Sequence, residues 1–209
     1  MNSNASVSKC LVLAPHYDDA ELGCGATIAK FIREDIKVSV FVFAEQRSVA
    51  DCEKTPMEEM SDSGLILGFW SLACDDIPSR YLCDNRQKVL DYMIKIGQEF
   101  RPDIVLAPSL VQTHQDHRVV AEEAFRAFKY TSLLGYDMPW NNLDSGRLTT
   151  FVDVTEEDVQ KKVDATACYK SQMPRPYFDK VSIFSLARAR GLQCGLEYAE
   201  AFETYRWFL

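Results

Sequence analysis

Ala14-Pro15-His16-Tyr17-Asp18-Asp19-Ala20-Glu21-Leu22-Gly23-Cys24-Gly25 joins an apolar run, residues 10–14, to a segment with Leu22, Ala26 and Ala29 at helical spacing. A short continuous apolar run reads as a buried strand, and the spacing after it as an amphipathic helix. Strand, turn and helix in that order form the half-unit of a parallel α/β sheet. Ligands of such sheets bind in the crevice beyond the carboxyl ends of the strands. One imidazole and two adjacent carboxylates, His16, Asp18 and Asp19, occupy that turn.

The arrangement recurs later in the chain. Val89, Leu90, Met93, Ile94 and Ile96 repeat at helical steps, and Arg101-Pro102-Asp103 breaks that helix. Residues 104–107 form the next apolar run, which Pro108 ends as Pro15 ends the first. His114-Gln115-Asp116-His117 follows, then a helix from about Asp116 to Phe128. Elsewhere, residues 38–44 and 148–154 read as strands. Residues 57–69 read as a helix, as does the stretch from Thr155 to about Tyr169, and 177–190 as a helix closed by Gly191. Residues 45–56, 75–84 and 130–147 read as loops, and 197–209 shows no clear period.

The bulk numbers set limits. At 209 residues the chain is long enough for one domain, 1–209, with a sizeable core. Its formal net charge of −8 argues against a nucleic-acid binder, which needs a basic face. Seven cysteines at scattered positions, with no C-x-x-C pair, fit reduced thiols in the cytoplasm better than a disulfide framework. No apolar segment approaches the roughly 18 residues of a membrane span, and the first residues lack the pattern of a signal peptide.

All three histidines of the chain lie in the two clusters. Imidazoles and carboxylates converging on one crevice match the ligand set of a catalytic divalent metal, with three protein ligands and a position left for water. Either cluster taken alone is equally explained by helix capping, through Asp18-Asp19 or through His114 and His117. Two clusters at corresponding strand ends favour a site. Gly23-Cys24-Gly25 lacks the third glycine of a dinucleotide fingerprint, and two acids beside it would repel a pyrophosphate. Close helix–strand packing explains these glycines better.

His16-x-Asp18-Asp19-x-Glu21-x-Gly23-x-Gly25 followed by His114-x-Asp116-His117 resembles the PIG-L/LmbE-like de-N-acetylase family. Arg101-Pro102-Asp103 and residues 155–172 are similar to that family as well. The resemblance implies a Rossmann-like, mostly parallel sheet flanked by helices. It also implies removal of acetyl or similar acyl groups from amino sugars with one Zn2+ per chain. His16, Asp19 and His117 would be the metal ligands and Asp18 the general base. His114, charged and held so by Asp116, would face the developing oxyanion. Tyr17 and Ala20 stand where the family usually has proline and often glutamate.

Arg47 and Arg80, in loops at the same sheet end, are candidates to hold a phosphate or carboxylate on the substrate. Tyr17, Tyr136 and Trp140 are candidates to stack on a sugar ring. The partner implied is a small-molecule amino-sugar conjugate, and a homo-oligomer is left open. A catalytically inactive glycan or nucleotide-sugar binding module on the same fold is the alternative, against which the intact clusters count. A phosphoesterase would call for two metals.

Overall fold

The computed structural model describes residues 7–45, 52–73, 77–143, 147–173 and 175–208. Seven strands form one sheet in the order β3-β2-β1-β4-β5-β7-β6. They are β1 (Lys9–Ala14), β2 (Lys37–Val42), β3 (Trp70–Ala73), β4 (Ile104–Pro108), β5 (Ser132–Tyr136), β6 (Leu148–Val154) and β7 (Tyr198–Arg206). The first five pair in parallel, and β7 is antiparallel to both its neighbours. The fold is a mostly parallel α/β sheet in a single domain, as expected.

Six helices flank the sheet among the described residues: α1 (Asp19–Arg33), α2 (Pro56–Leu67), α3 (Arg86–Phe100), α4 (Gln115–Ala127), α5 (Glu156–Thr166) and α6 (Lys180–Cys194). Cys10, Val12 and Ala14 of β1 face a core built with α1, α2 and α5, while Leu11 and Leu13 face one built with α3 and α4. Alternation across a strand with helices on both faces explains why β1 is an unbroken apolar run. The chain moves from β1 outward to β2 and β3, then returns to place β4 on the other side of β1. The strand order therefore reverses between β1 and β4, and ligands of such sheets bind at that reversal.

Local sequence accounts for most boundaries. Thr55 and Thr155 each begin a helix with a reciprocal capping box, to Glu58 and Asp158. Gly68 ends α2 in the left-handed conformation, at φ 88°. α1 is broken at Cys24, whose φ is −150°. Lys162 Nζ donates to the stranded Leu22 carbonyl at 2.8 Å, and Glu200 accepts the amides of Ala26 and Thr27 at 3.2 and 2.6 Å. Lys162 and Glu200 also pair with each other at 2.6 Å, both buried.

Three expectations change. Residues 130–147 are not all loop, since β5 lies within them, and residues 198–206 form β7 in the interior of the sheet. Gly191 does not close α6; it lies inside the helix against the Glu197 carbonyl, and Gly195 is the left-handed cap. No helix among the described residues is long and apolar enough to cross a membrane.

Candidate active site

The two clusters meet because β1 and β4 are hydrogen-bonded neighbours. The turn after β1 carries His16, Asp18 and Asp19, and the loop and first turn of α4 after β4 carry His114, Asp116 and His117. His16 Nδ1 and His117 Nε2 lie 3.1 and 3.2 Å from Asp19 Oδ2, and all three residues are buried. The outer nitrogens of both rings are engaged: His16 Nε2–H donates to Asp116 Oδ2 at 3.0 Å, and His117 Nδ1–H to Gln112 Oε1 at 2.5 Å. The inward nitrogen of each ring faces the Asp19 carboxylate. Metal-ligating histidines are held in this way, by an oxygen acceptor on the second nitrogen.

Asp116 is a positioning group. Its carboxylate accepts the Arg80 amide at 2.7 Å and the Leu82 amide at 3.4 Å as well as the His16 ring. To present that amide Arg80 adopts φ 76°, which costs a non-glycine residue about 1–3 kcal/mol. Gln115 Nε2 supports the bend by donating to the Arg80 carbonyl at 2.5 Å. His16, His114 and Asp116 also bring donor atoms close together, but those of Asp116 and His114 are already used by backbone amides.

Asp18 stands at the N-cap of α1, yet its carboxylate makes no cap bond. It is buried, lines a cavity of about 310 Å³ with the three histidines, and has Arg175 Nη1 3.8 Å away. Burial and then the charge of Asp19 push its carboxyl up to about 6, against the pull of His16 and Arg175. Asp19 goes the other way: burial opposes ionisation, but His117 and His16 hold it well below the usual carboxylate range. Burial would also lower His16, yet its bonds to Asp116 and Asp19 and the acidic charges push it up to about 10. The cluster is an environment that favours a positive charge among these atoms, so its donor set fits a divalent cation.

A family model described as PIG-L, GlcNAc-PI de-N-acetylase, matches residues 11–128, a stretch that holds both clusters. The chain belongs to this family. It is 28% identical over 167 residues to the uncharacterized deacetylase YaiS of Escherichia coli K12, covering 77% of this chain and 90% of that protein. Among solved structures it is similar to the N,N'-diacetylchitobiose deacetylase of Pyrococcus horikoshii, with a TM-score of 0.73 and 18% identity over 98% of this chain and 86% of that one. It is also similar to GalB, the 4-carboxy-2-hydroxymuconate hydratase of Pseudomonas putida KT2440, with a TM-score of 0.77 and 20% identity over 97% and 98%. A deacetylase and a hydratase thus share this fold, and the choice of chemistry falls to the side chains.

The structure brings His16, Asp18, Asp19, His114 and His117 of this family member to one cavity, which Arg80 also lines, and buries Asp116 against the outer nitrogen of His16. Arg47 lies outside the described residues. Tyr17 and Tyr136 are buried and cannot stack on a ligand; the Tyr136 hydroxyl donates to the Leu13 carbonyl. Trp140 does line the cavity, stacked on Tyr177 with ring centroids 4.3 Å apart. The expected charged His114 does not match the geometry. Its Nδ1 accepts the Asp116 amide at 3.2 Å, which an imidazolium cannot do. Burial and the charges of His117 and His16 lower it to about 4, and the Asp116 carboxylate serves His16 instead. Gln112, Arg175 and Tyr177 were not singled out by the sequence, because nothing local distinguishes them from other loop residues.

Proposed function

We propose that this chain is a zinc-dependent hydrolase that removes an N-acetyl or similar acyl group from an amino-sugar conjugate. The observation that carries the reading is the pair of imidazole nitrogens converging on one Asp19 oxygen, beside a buried carboxylate, Asp18, that caps nothing. Family membership and the N-acetylated sugar named for the Pyrococcus relative support the amide and the sugar. Three N and O donors with a position left open suit zinc, held by His16, Asp19 and His117. Zinc supplies polarisation of the amide carbonyl and brings the pKa of water toward neutrality.

The rest is done by the chain's own groups. Asp18 takes the proton of the attacking water and delivers it to the amide nitrogen as the C–N bond breaks, so acetate and a free amine leave. His114, with Nδ1 occupied by the Asp116 amide, carries its proton on Nε2 and donates it as a hydrogen bond to the carbonyl oxygen as charge builds. Oxyanion donors of this kind contribute about 3–4 kcal/mol. Arg80 and Arg47 are the groups for an anionic substituent of a small-molecule substrate. A reducing compartment such as the cytoplasm fits the cysteines, and the six described ones are free thiols.

Metal analysis of the purified protein, combined with acetate and amine release from a panel of N-acetyl sugars, sugar nucleotides and thiol glycosides, tests the reading. One zinc per chain and release from at least one of these are expected. Asp19→Ala should lose both metal and turnover while keeping its circular dichroism. Full zinc stoichiometry in that variant overturns the ligand assignment.

A further inference from the structure

Beside the catalytic cavity lies a larger one, of about 580 Å³, between α6, β7 and the segment around Trp140. That size is ordinary for a ligand pocket. Leu22, Trp140 and Tyr177 line both cavities, so the Trp140–Tyr177 stack forms a wall common to the two. The far wall is apolar, with Ile183, Leu186 and Ala187 of α6. Charged groups reach it as well, but each is consumed: Lys162 by Glu200 and Arg190 by Asp137, both pairs at 2.6 Å. No unpaired charge among its described lining residues is left to recognise an ion. The catalytic cavity differs, being lined by histidines, carboxylates, Arg80 and Arg175.

We infer that the second cavity is a substrate subsite for an apolar chain, so that the substrate is an amphiphile with its amide at the histidine cluster and its hydrocarbon beyond Trp140 and Tyr177. This rests on the deacetylase reading above. The hydrocarbon belongs either to the acyl group removed or to the aglycone of the sugar, and both offer the same chemistry to the cavity.

Two substrate series separate these sources in the zinc-loaded protein: glucosamine N-acylated from acetyl to octanoyl, and N-acetylglucosamine glycosides from methyl to octyl. In one series kcat/KM should rise about fourfold per added methylene, corresponding to about 0.8 kcal/mol, until the cavity is full. The series that rises names the source. Ala187→Phe, which narrows the cavity, should flatten the rise while leaving the methyl N-acetyl glycoside within twofold of wild type. Leu186→Glu, at a half-buried position that tolerates a charge, should do the same should the larger ring disturb folding. Chain-length independence in both series overturns the inference. Calorimetric binding of the octyl and methyl glycosides separates this from failure of the deacetylase reading. Tighter octyl binding, weakened at least tenfold by Ala187→Phe or Leu186→Glu, upholds the subsite even where no sugar is deacetylated. Equal binding of the two glycosides, together with equal binding of N-acetyl- and N-octanoylglucosamine, rejects it.

Discussion

Asp18 and Asp19 are adjacent in the chain and opposite in environment. Asp19 faces two imidazoles that favour its charge, whereas Asp18 faces burial and the charge of Asp19. Pairs of carboxylates driven apart in this way commonly divide their roles. Asp18→Asn should therefore retain full zinc stoichiometry and lose turnover by about 10²–10⁴-fold, the contribution typical of a general acid–base group. Near-normal turnover would move the base elsewhere. Gln112 gives a second expectation at this scale, because its side-chain carbonyl fixes the tautomer and tilt of His117. Gln112→Ala should weaken zinc binding about 10–100-fold in a competition titration, and an unchanged affinity would reduce Gln112 to a loop residue.

At the scale of elements, α1 breaks at Cys24, five residues beyond Asp19, and the Lys162–Glu200 pair satisfies the backbone groups that the break exposes. Removing one member strands a buried charge, so Lys162→Ala should destabilise the protein by about 3–5 kcal/mol in denaturant melts. Lys162→Met combined with Glu200→Gln should recover most of that loss. A single variant as stable as wild type would show the break to be held by other contacts. The same residues explain what the sequence made legible. β1, β4 and the helices after them could be read because their apolar pattern is uninterrupted and their clusters follow at once. β7 could not, because Glu200 and Glu203 put carboxylates in an interior strand, where they accept backbone amides and hydroxyls instead of facing water. β5 was hidden by Gly135, whose missing side chain makes room for the Tyr205 ring. At the site, the convergence of the two His/Asp clusters was legible because histidine is rare here, while Gln112 and Arg175 arrive from loops with no local signature.

For the whole molecule, the alignment of the two clusters depends on the register of β1 against β4, Cys10 opposite Ile104. Asp103, just before β4, clasps the start of β1: its Oδ2 accepts the Ser8 amide and hydroxyl, both at 2.8 Å, and the Lys9 amide at 2.9 Å. Burial alone would raise this carboxyl, but the three donors outweigh it and hold the group below its ordinary 3.8. A depressed folded-state pKa means that the unfolded chain takes up the proton first as pH falls. The stabilisation is then fully present above about pH 4 and is lost as pH drops through the folded value. Asp103→Asn keeps an acceptor but not the charge, so it should be less stable than wild type at pH 7, by up to about 1 kcal/mol. That gap should close as both proteins are melted at progressively lower pH toward 3. Asp103→Ala removes the acceptor too and should stay less stable at every pH. A constant difference between wild type and Asp103→Asn from pH 7 to pH 3 would show that the clasp works through hydrogen-bond geometry alone, with no contribution from the carboxylate charge.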